Sequence, residues 1–360
     1  MTTPYLTIDL EKIERNARCI VGLCERHGIE VAGVTKAVCG MPEVAQAMLR
    51  GGVTAIADSR LANIHRLRGS GVDTRFVLLR LPALSDVHDS VLSTDVSLNS
   101  EPAVLQALSQ VAHRLGRQHQ VILMVDLGDL REGIWPDSLD PVVRKAIELP
   151  GIRIVGLGTN LACFSGVAAG VDNMRRLVAL GEQVEQIMGD ELRWLSGLNS
   201  SALELIASGQ LPRRINHARI GEAILLGREA LHRKPWPQTC QDAFVLSAEV
   251  LELGRKPSLP AGERGEDAFG GRPVFEDRGL RDRALLNLGR EDVDVAGIRP
   301  LDPRLQIIGA SSGYLVVDVT DAHGEIRVGD QLDFSLNYAA LLAAMTSGYV
   351  IKRFQQGGAW

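Results

Sequence analysis

Glu30-Val-Ala-Gly-Val-Thr-Lys-Ala-Val-Cys-Gly-Met-Pro-Glu-Val-Ala-Gln-Ala-Met-Leu-Arg-Gly-Gly-Val-Thr-Ala-Ile-Ala57 holds one structural unit. A short β-branched run at 30–35 is followed by a helical pattern over Pro42–Arg50 and a second apolar run at 53–57. Strand, helix and strand in close succession make a βα repeat around a parallel sheet. Outward from this unit the pattern recurs, with further candidate strands at 75–79, 95–98, 120–126, 153–158, 193–197 and 214–219. Helical patterns such as Arg60–Arg68, Glu101–Leu115 and Val171–Ile187 lie between them. Eight such units in about 235 residues match a (β/α)8 TIM-like barrel in number and size. A doubly wound sheet is the alternative, but no GxGxxG turn follows the first strand.

The texture changes near residue 235. Lys234-Pro-Trp-Pro237 reads as a linker, and strand-like runs follow at Phe244–Leu251, Leu305–Ile308, Leu315–Thr320 and Gln331–Leu336. Residues 1–235 are therefore expected to form the barrel and 236–360 a smaller C-terminal β domain, with the run 4–9 a candidate to pack with that domain. Gly262–Arg278, rich in glycine and charge, reads as an ordered surface loop or a partner-contacting excursion.

Composition narrows the function classes. The chain of 360 residues is 45% hydrophobic and 23% charged, an ordinary globular balance. Its 39 basic and 44 acidic residues give a net charge of −5 without a long block of one sign, which argues against a nucleic-acid partner. No apolar window reaches the length of a membrane span, and Met1–Asp9 has no basic-then-apolar leader pattern, so a cytoplasmic protein is expected. The five cysteines form no close CxxC pair, which fits a reducing compartment, and the scattered histidines point to no metal site. Aromatic residues make up only 4%, including four tyrosines at 5, 314, 338 and 349, so the core is expected to be aliphatic.

In a barrel, chemistry collects where strands end. The first strand ends in Thr35-Lys36-Ala37, where a lysine is either a solvated strand-end residue or an amine suited to imine chemistry. Asp126 through Gly133 brings Arg131 to the same rim, and Thr159-Asn160 ends the sixth strand. Asn199-Ser200 opens a helix after the seventh, as a phosphate site or a plain serine cap. Arg219-Ile220-Gly221 ends the eighth, and Leu336-Asn337-Tyr338 lies in the β domain. One lysine, two arginines and a serine-rich helix start favour an anionic, phosphate-bearing cofactor beside an amine nucleophile.

Taken in order over nearly the whole chain, these motifs resemble the pyridoxal-phosphate (PLP) enzymes of the alanine racemase fold type, in particular the alanine/ornithine racemase branch. The resemblance implies that Lys36 carries PLP through an imine and shuttles the substrate Cα proton on one face. It implies that Arg131 sits near the cofactor's phenolic oxygen and the substrate carboxylate. Asn199, Ser200, the backbone of Gly221 and the hydroxyl of Tyr338 are implied around the phosphate, with Arg219 at the pyridine nitrogen. Asn160 stands where the family usually has a cofactor-contacting histidine. An arginine does not give up its proton, so Arg219 should keep the ring nitrogen unprotonated. The weaker electron sink then favours reprotonation at Cα, which selects racemisation.

Racemisation needs a second acid/base on the opposite face. The family's Gly-Tyr-Ala-Asp-Gly-like segment corresponds here to Ala284–Asp292, without a tyrosine. Tyr314 and Asp292 are the candidates for the role, Tyr314 having a buried strand residue as its structural alternative. Gly313-Tyr314 replaces the Asp-His usual in the ornithine-type branch. The resemblance further implies a homodimer with shared active sites and a substrate such as ornithine or another basic or small amino acid. A PLP-dependent decarboxylase or lyase on the same scaffold, or a non-catalytic PLP-binding protein, are the competing readings. Decarboxylases of this fold carry a cysteine-bearing motif with no counterpart here, and carrier proteins resemble a lone barrel.

Overall fold

The computed structural model describes residues 4–355, and the chain divides into two compact units. One runs from Leu10 to Gln241; the other joins the N-terminal strand ending at Asp9 to the chain from Asp242 onward. Strands are numbered along the chain from β1 (Tyr5–Asp9).

The first unit is a closed barrel of eight parallel strands. These are β2 (Glu30–Val34), β3 (Ala55–Asp58), β4 (Phe76–Leu78), β5 (Val96–Asn99), β6 (His119–Met124), β7 (Ile152–Gly158), β8 (Trp194–Leu198) and β9 (His217–Ile220). Each falls on one of the eight runs expected from the sequence, and β9 closes on β2 with Ala32 opposite Arg219. Helices alternate with the strands; Pro42–Arg50 starts with proline at its first position, where the missing N–H has no partner to lose. The interior is filled by Ala32, Val34, Ala57, Val77, Leu98, Ile122 and Trp194. β-branched and small aliphatic side chains pack at the barrel axis, so a low aromatic content suffices. The Lys234–Pro237 segment is held within this unit as a tight turn rather than a free linker. The Glu229 carboxylate accepts the N–H groups of Leu231 at 2.7 Å and Lys234 at 2.9 Å, and Trp236 N–H donates to Gly227 O at 2.8 Å.

The second unit is an eight-stranded sheet. It comprises β1, β10 (Phe244–Pro257), β11 (Leu280–Leu286), β12 (Ile298–Pro300), β13 (Gln306–Ala310), β14 (Leu315–Asp318), β15 (Gln331–Leu336) and β16 (Ile351–Gln355). Strand β10 is its spine: Phe244–Ser247 pairs with β1, and Leu246–Glu249 with β15. Beyond a bulge between Val250 and Glu252 it pairs with β11 instead. Among the described residues of this sheet, β1 and β16 are the one pair that runs parallel. The helix Tyr338–Thr346 follows β15, with Asn337 capping it by accepting Ala340 N–H at 2.9 Å. Residues 258–279 form a loop tied by Asp267, whose carboxylate accepts Phe269 N–H at 2.9 Å and Gly271 N–H at 2.8 Å. Among the described residues, no helix is long and apolar enough to cross a membrane.

Candidate active site

Seven of the residues singled out in the sequence stand at the C-terminal ends of barrel strands or just beyond them. Lys36 follows β2 as the first residue of a short 3-10 turn and is exposed. Its position is set from below by Thr35, which is fully buried and donates its hydroxyl to Asp58 Oδ2 at 2.7 Å. Asp58 also accepts Asn63 Nδ2 at 2.9 Å and Arg60 N–H at 3.0 Å. Burial raises the Asp58 pKa above the usual carboxylate range, and these donors pull against that rise. Three donors on one buried carboxylate clamp the chain just before the lysine.

Arg131 lies in the loop after β6, which returns on itself: Asp126 N–H donates to Ile134 O at 3.0 Å, and Asp126 Oδ1 accepts Gly128 N–H at 2.8 Å. The turn needs glycine at 133, where φ is +139° and a Cβ would lie 2.4 Å from the Asp126 nitrogen. The guanidinium of Arg131 forks onto the carboxylate of Glu132, Nη2 donating to Oε1 at 2.5 Å and Nε to Oε2. Burial works against the charge of Arg131, but Glu132 more than offsets it, so its pKa stands above the ordinary arginine value. Asn160, after β7, donates from Nδ2 to Glu132 Oε1 at 3.3 Å and accepts Asn199 Nδ2 at 3.4 Å. Cys163 Sγ donates to the same Asn160 oxygen at 3.4 Å. Asp129, buried, accepts the N–H groups of Phe164 at 3.0 Å and Ser165 at 3.1 Å, docking the loop after β7 onto the loop after β6. Arg131, Glu132, Asn160, Cys163 and Asn199 thus form one polar chain along the rim.

Ser200 is buried and its Oγ accepts Ala223 N–H at 3.1 Å, which leaves the hydroxyl hydrogen free to donate. Gly221 opens the short helix Glu222–Leu226, with its carbonyl accepting Ile224 and Leu225 N–H at 3.0 Å. Arg219, on β9, is buried and bonded to neutral acceptors: Ser196 O at 3.0 Å, the Ser196 hydroxyl and Thr159 O at 2.7 Å. Burial lowers its pKa to about 10, which still leaves a cation at neutral pH. Thr159 Oγ1 is buried with no hydrogen-bond partner among the described residues.

Three candidates belong to the β unit. Tyr338 is half-buried at the start of its helix. Tyr314 is 52% exposed at the hairpin joining β13 to β14, with Ser311 N–H donating to its carbonyl at 2.9 Å, so the alternative of a buried strand residue does not hold. Asp292 is buried and its Oδ2 accepts Gly289 N–H at 2.8 Å; burial raises its pKa. These two lie in adjoining turns, since Glu291 N–H donates to Ser312 O at 3.1 Å. A Cβ at Gly289 would fall 1.9 Å from Ser312 O, so only glycine allows the two turns to meet.

Sequence reading missed Glu132, Asp58, Cys163 and the Ser196–His217 pair. Glu132 had a weak signal in its adjacency to Arg131, but neighbouring side chains meet only in a loop as tight as this one. The others are brought in from different strands and loops.

The alanine racemase N-terminal domain model matches residues 8–229. The chain is 41% identical over 350 residues to the ornithine racemase of Acetoanaerobium sticklandii, covering 97% of this chain and 99% of that protein. It is 38% identical over 355 residues to the lysine racemase of Thermotoga maritima, covering 99% of each. In fold it is similar to the alanine racemase of Streptomyces lavendulae, with a TM-score of 0.76 at 16% identity over 99% of this chain and 98% of that one. It is equally similar to the Bartonella henselae alanine racemase with covalently bound pyridoxal phosphate, TM-score 0.76 at 17% identity over 99% and 100%. With the family model spanning most of the barrel and two full-length relatives well above 30% identity, the chain belongs to the alanine racemase family.

Proposed function

We propose that this protein is a PLP-dependent racemase of basic amino acids, interconverting L and D forms by removal and return of the Cα proton. Membership of the family and full-length similarity to an ornithine and a lysine racemase carry the reading. The donor set fits the cofactor. Lys36 is an exposed strand-end amine with no carboxylate paired to it among the described residues. Ser200 has a hydroxyl hydrogen to give a phosphate. Arg219 is a buried cation whose bonded partners are all neutral, suited to face an electron-rich ring nitrogen.

When bound, PLP supplies the electron sink that makes the substrate's Cα proton labile. Lys36 Nζ would hold the cofactor and would take or return the Cα proton on its own face. Arg131, held flat by Glu132, presents a fork to the substrate carboxylate. Asn160 and Asn199 steady that fork from behind through Glu132, while Ser200 and the backbone at Gly221 would hold the phosphate. Arg219 would face the ring nitrogen and, holding its proton at neutral pH, would leave that nitrogen unprotonated, the condition under which the group would supply a weaker sink that favours return of the Cα proton. For the opposite face, Tyr314 is our choice of second acid/base: its ring is exposed, whereas Asp292 is committed to Gly289 N–H. Tyr338 keeps the role of phosphate ligand on the strength of the resemblance. A homodimer in a reducing, cytoplasmic compartment completes the reading, in line with a sequence whose five cysteines form no close CxxC pair.

The test is to incubate single enantiomers of ornithine, lysine and alanine with purified protein in heavy water. Loss of optical rotation with deuterium at Cα, fastest for the basic amino acids, is expected. Release of carbon dioxide or aldehyde would assign a decarboxylase or lyase instead. The protein should be yellow, and Lys36→Ala should lose the colour.

A further inference from the structure

Behind Arg219 lies a buried hydrogen-bonded chain that the reading above leaves without a role. Ser196, on β8, is fully buried, and His217, on β9, is nearly so. The Ser196 hydroxyl is 2.6 Å from His217 Nδ1 and is also the acceptor of Arg219 Nη1. His217 and Arg219 are two residues apart on one strand, so their side chains point to the same face. The Trp194 ring covers the imidazole, with centroids 5.1 Å apart.

Hydrogen counting fixes the direction of this chain. A guanidinium only donates, so the Ser196 oxygen accepts from Arg219; His217 Nδ1 is the one other partner of that hydroxyl among the described residues, and only by donating to it does the buried hydroxyl hydrogen find an acceptor. Nδ1 must then be bare, with the ring proton on Nε2. We infer that His217 is a positioning residue: a neutral Nε2–H imidazole that, through the Ser196 hydroxyl, locks the plane of the Arg219 guanidinium without sharing its charge. Three of the five guanidinium hydrogens are spent on Ser196 O, Ser196 Oγ and Thr159 O, leaving two for whatever Arg219 faces. A carboxylate behind Arg219 would neutralise it; a serine and an uncharged histidine fix its geometry and leave the charge intact. Burial, together with the positive charges of Arg219, Arg75 and Arg193, drives the His217 pKa down to about 3 and keeps the ring neutral. A second buried relay runs from Asn99 Nδ2 to Ser97 Oγ at 2.9 Å and on to His119 Nε2 at 2.8 Å, with an amide in place of the guanidinium. It offers an internal reference of the same form.

The relay concerns this chain's own residues; only what Arg219 faces rests on the proposed function. Nitrogen-15 NMR of histidine-labelled native protein reads it directly. His217 is expected with bare Nδ1 and protonated Nε2, and without titration between about pH 5 and pH 8. An imidazolium or an Nδ1–H tautomer overturns the inference, whatever the protein binds. Two replacements separate positioning from packing. His217→Asn keeps an acceptor near Nδ1 and should hold kcat for heavy-water exchange within about threefold, whereas His217→Leu, better at filling space, should lose tenfold or more with KM little changed. The reverse order would make His217 a packing residue and overturn the proposal. Should His217→Leu fail to fold, Ser196→Ala replaces it, with loss of the single His217 tautomer as the supporting result and an unaltered His217 signal as the overturning one. If native protein shows the expected tautomer but binds no PLP, the proposed function fails and the relay stands.

Discussion

The carboxylate of Glu132 grips the guanidinium of the residue just before it, Arg131, through both oxygens, and one of those oxygens also accepts Asn160 Nδ2 at 3.3 Å. Adjacent residues rarely pair this way; the turn closed by Gly133 allows it. An arginine so held is oriented before any ligand arrives, and preorganisation of this kind is what a carboxylate-binding fork requires.

Glu132→Gln should therefore cost activity more than stability. The pair is partly open to solvent, where ion pairs contribute little to folding. Loss of orientation should lower kcat/KM by about tenfold to a hundredfold, or roughly 1.4–2.7 kcal/mol. Steady-state kinetics beside a melting curve checks it; an unchanged kcat/KM would show that Arg131 needs no such support.

Asp58 predicts the opposite balance. Removing a fully buried carboxylate strands the donors of Thr35, Asn63 and Arg60. Asp58→Ala should lose about 2–4 kcal/mol of stability in urea unfolding, and Thr35→Val about 1 kcal/mol. Equal, small losses for the two would mean that the clamp before Lys36 is not cooperative.

Two buried histidines set the acid side of the stability profile. Burial lowers the pKa of His119 to about 4 and that of His217 to about 3, from 6.5 in an exposed state. Below 6.5 the unfolded chain takes up protons that the folded one refuses. Each histidine's contribution is thus complete above that pH and is lost as pH falls, at about 1.4 kcal/mol per pH unit. The raised carboxyls of Asp58, Glu222 and Asp292 act in the other sense, gaining as pH falls. A difference measurement isolates one group: between pH 6.5 and 5 the unfolding free energy of His217→Asn should decline less steeply than native by about 1.4 kcal/mol per unit. Parallel curves would place the His217 pKa near its ordinary value.

Tyr314→Phe removes one exposed hydroxyl and should leave the melting temperature within about a degree. If Tyr314 is the second acid/base, racemisation should fall by about a hundredfold to ten-thousandfold, while Lys36 continues to exchange the Cα proton of one enantiomer. Undiminished racemisation of both enantiomers removes Tyr314 from the role.

Gly289→Ala tests the meeting of the two turns that carry Asp292 and Tyr314. A methyl group 1.9 Å from Ser312 O has to displace backbone, and a loss of about 2–4 kcal/mol is expected in urea unfolding. A neutral result would mean that the turns separate freely.

The barrel was legible because its signal is local and repeated. Each of its strands is an apolar run of a few residues, and Pro42–Arg50 carries its own start signal in proline. The β unit was harder. β15 was read to the residue, but β11, β12 and β16 were passed over: Leu280-Arg-Asp-Arg-Ala-Leu-Leu286 carries three charges in its first half, which is only partly buried, and β12 is only three residues long. The helix Tyr338–Thr346 went unread as well, its alanine-rich run lying directly after a strand.

By itself, the sequence determined the repeat of strand and helix, the lysine after the first barrel strand, and the order of motifs along the chain. These depend on the spacing and chemistry of neighbouring residues, which a linear text preserves. Tertiary structure alone decided what each charged group faces. Asp58 under Thr35, Ser196 between Arg219 and His217, and Gly289 against Ser312 all join residues on different strands or turns. Their partners are chosen by barrel closure and strand register, and burial then forces each polar atom to find one. Sequence spacing carries no trace of that choice.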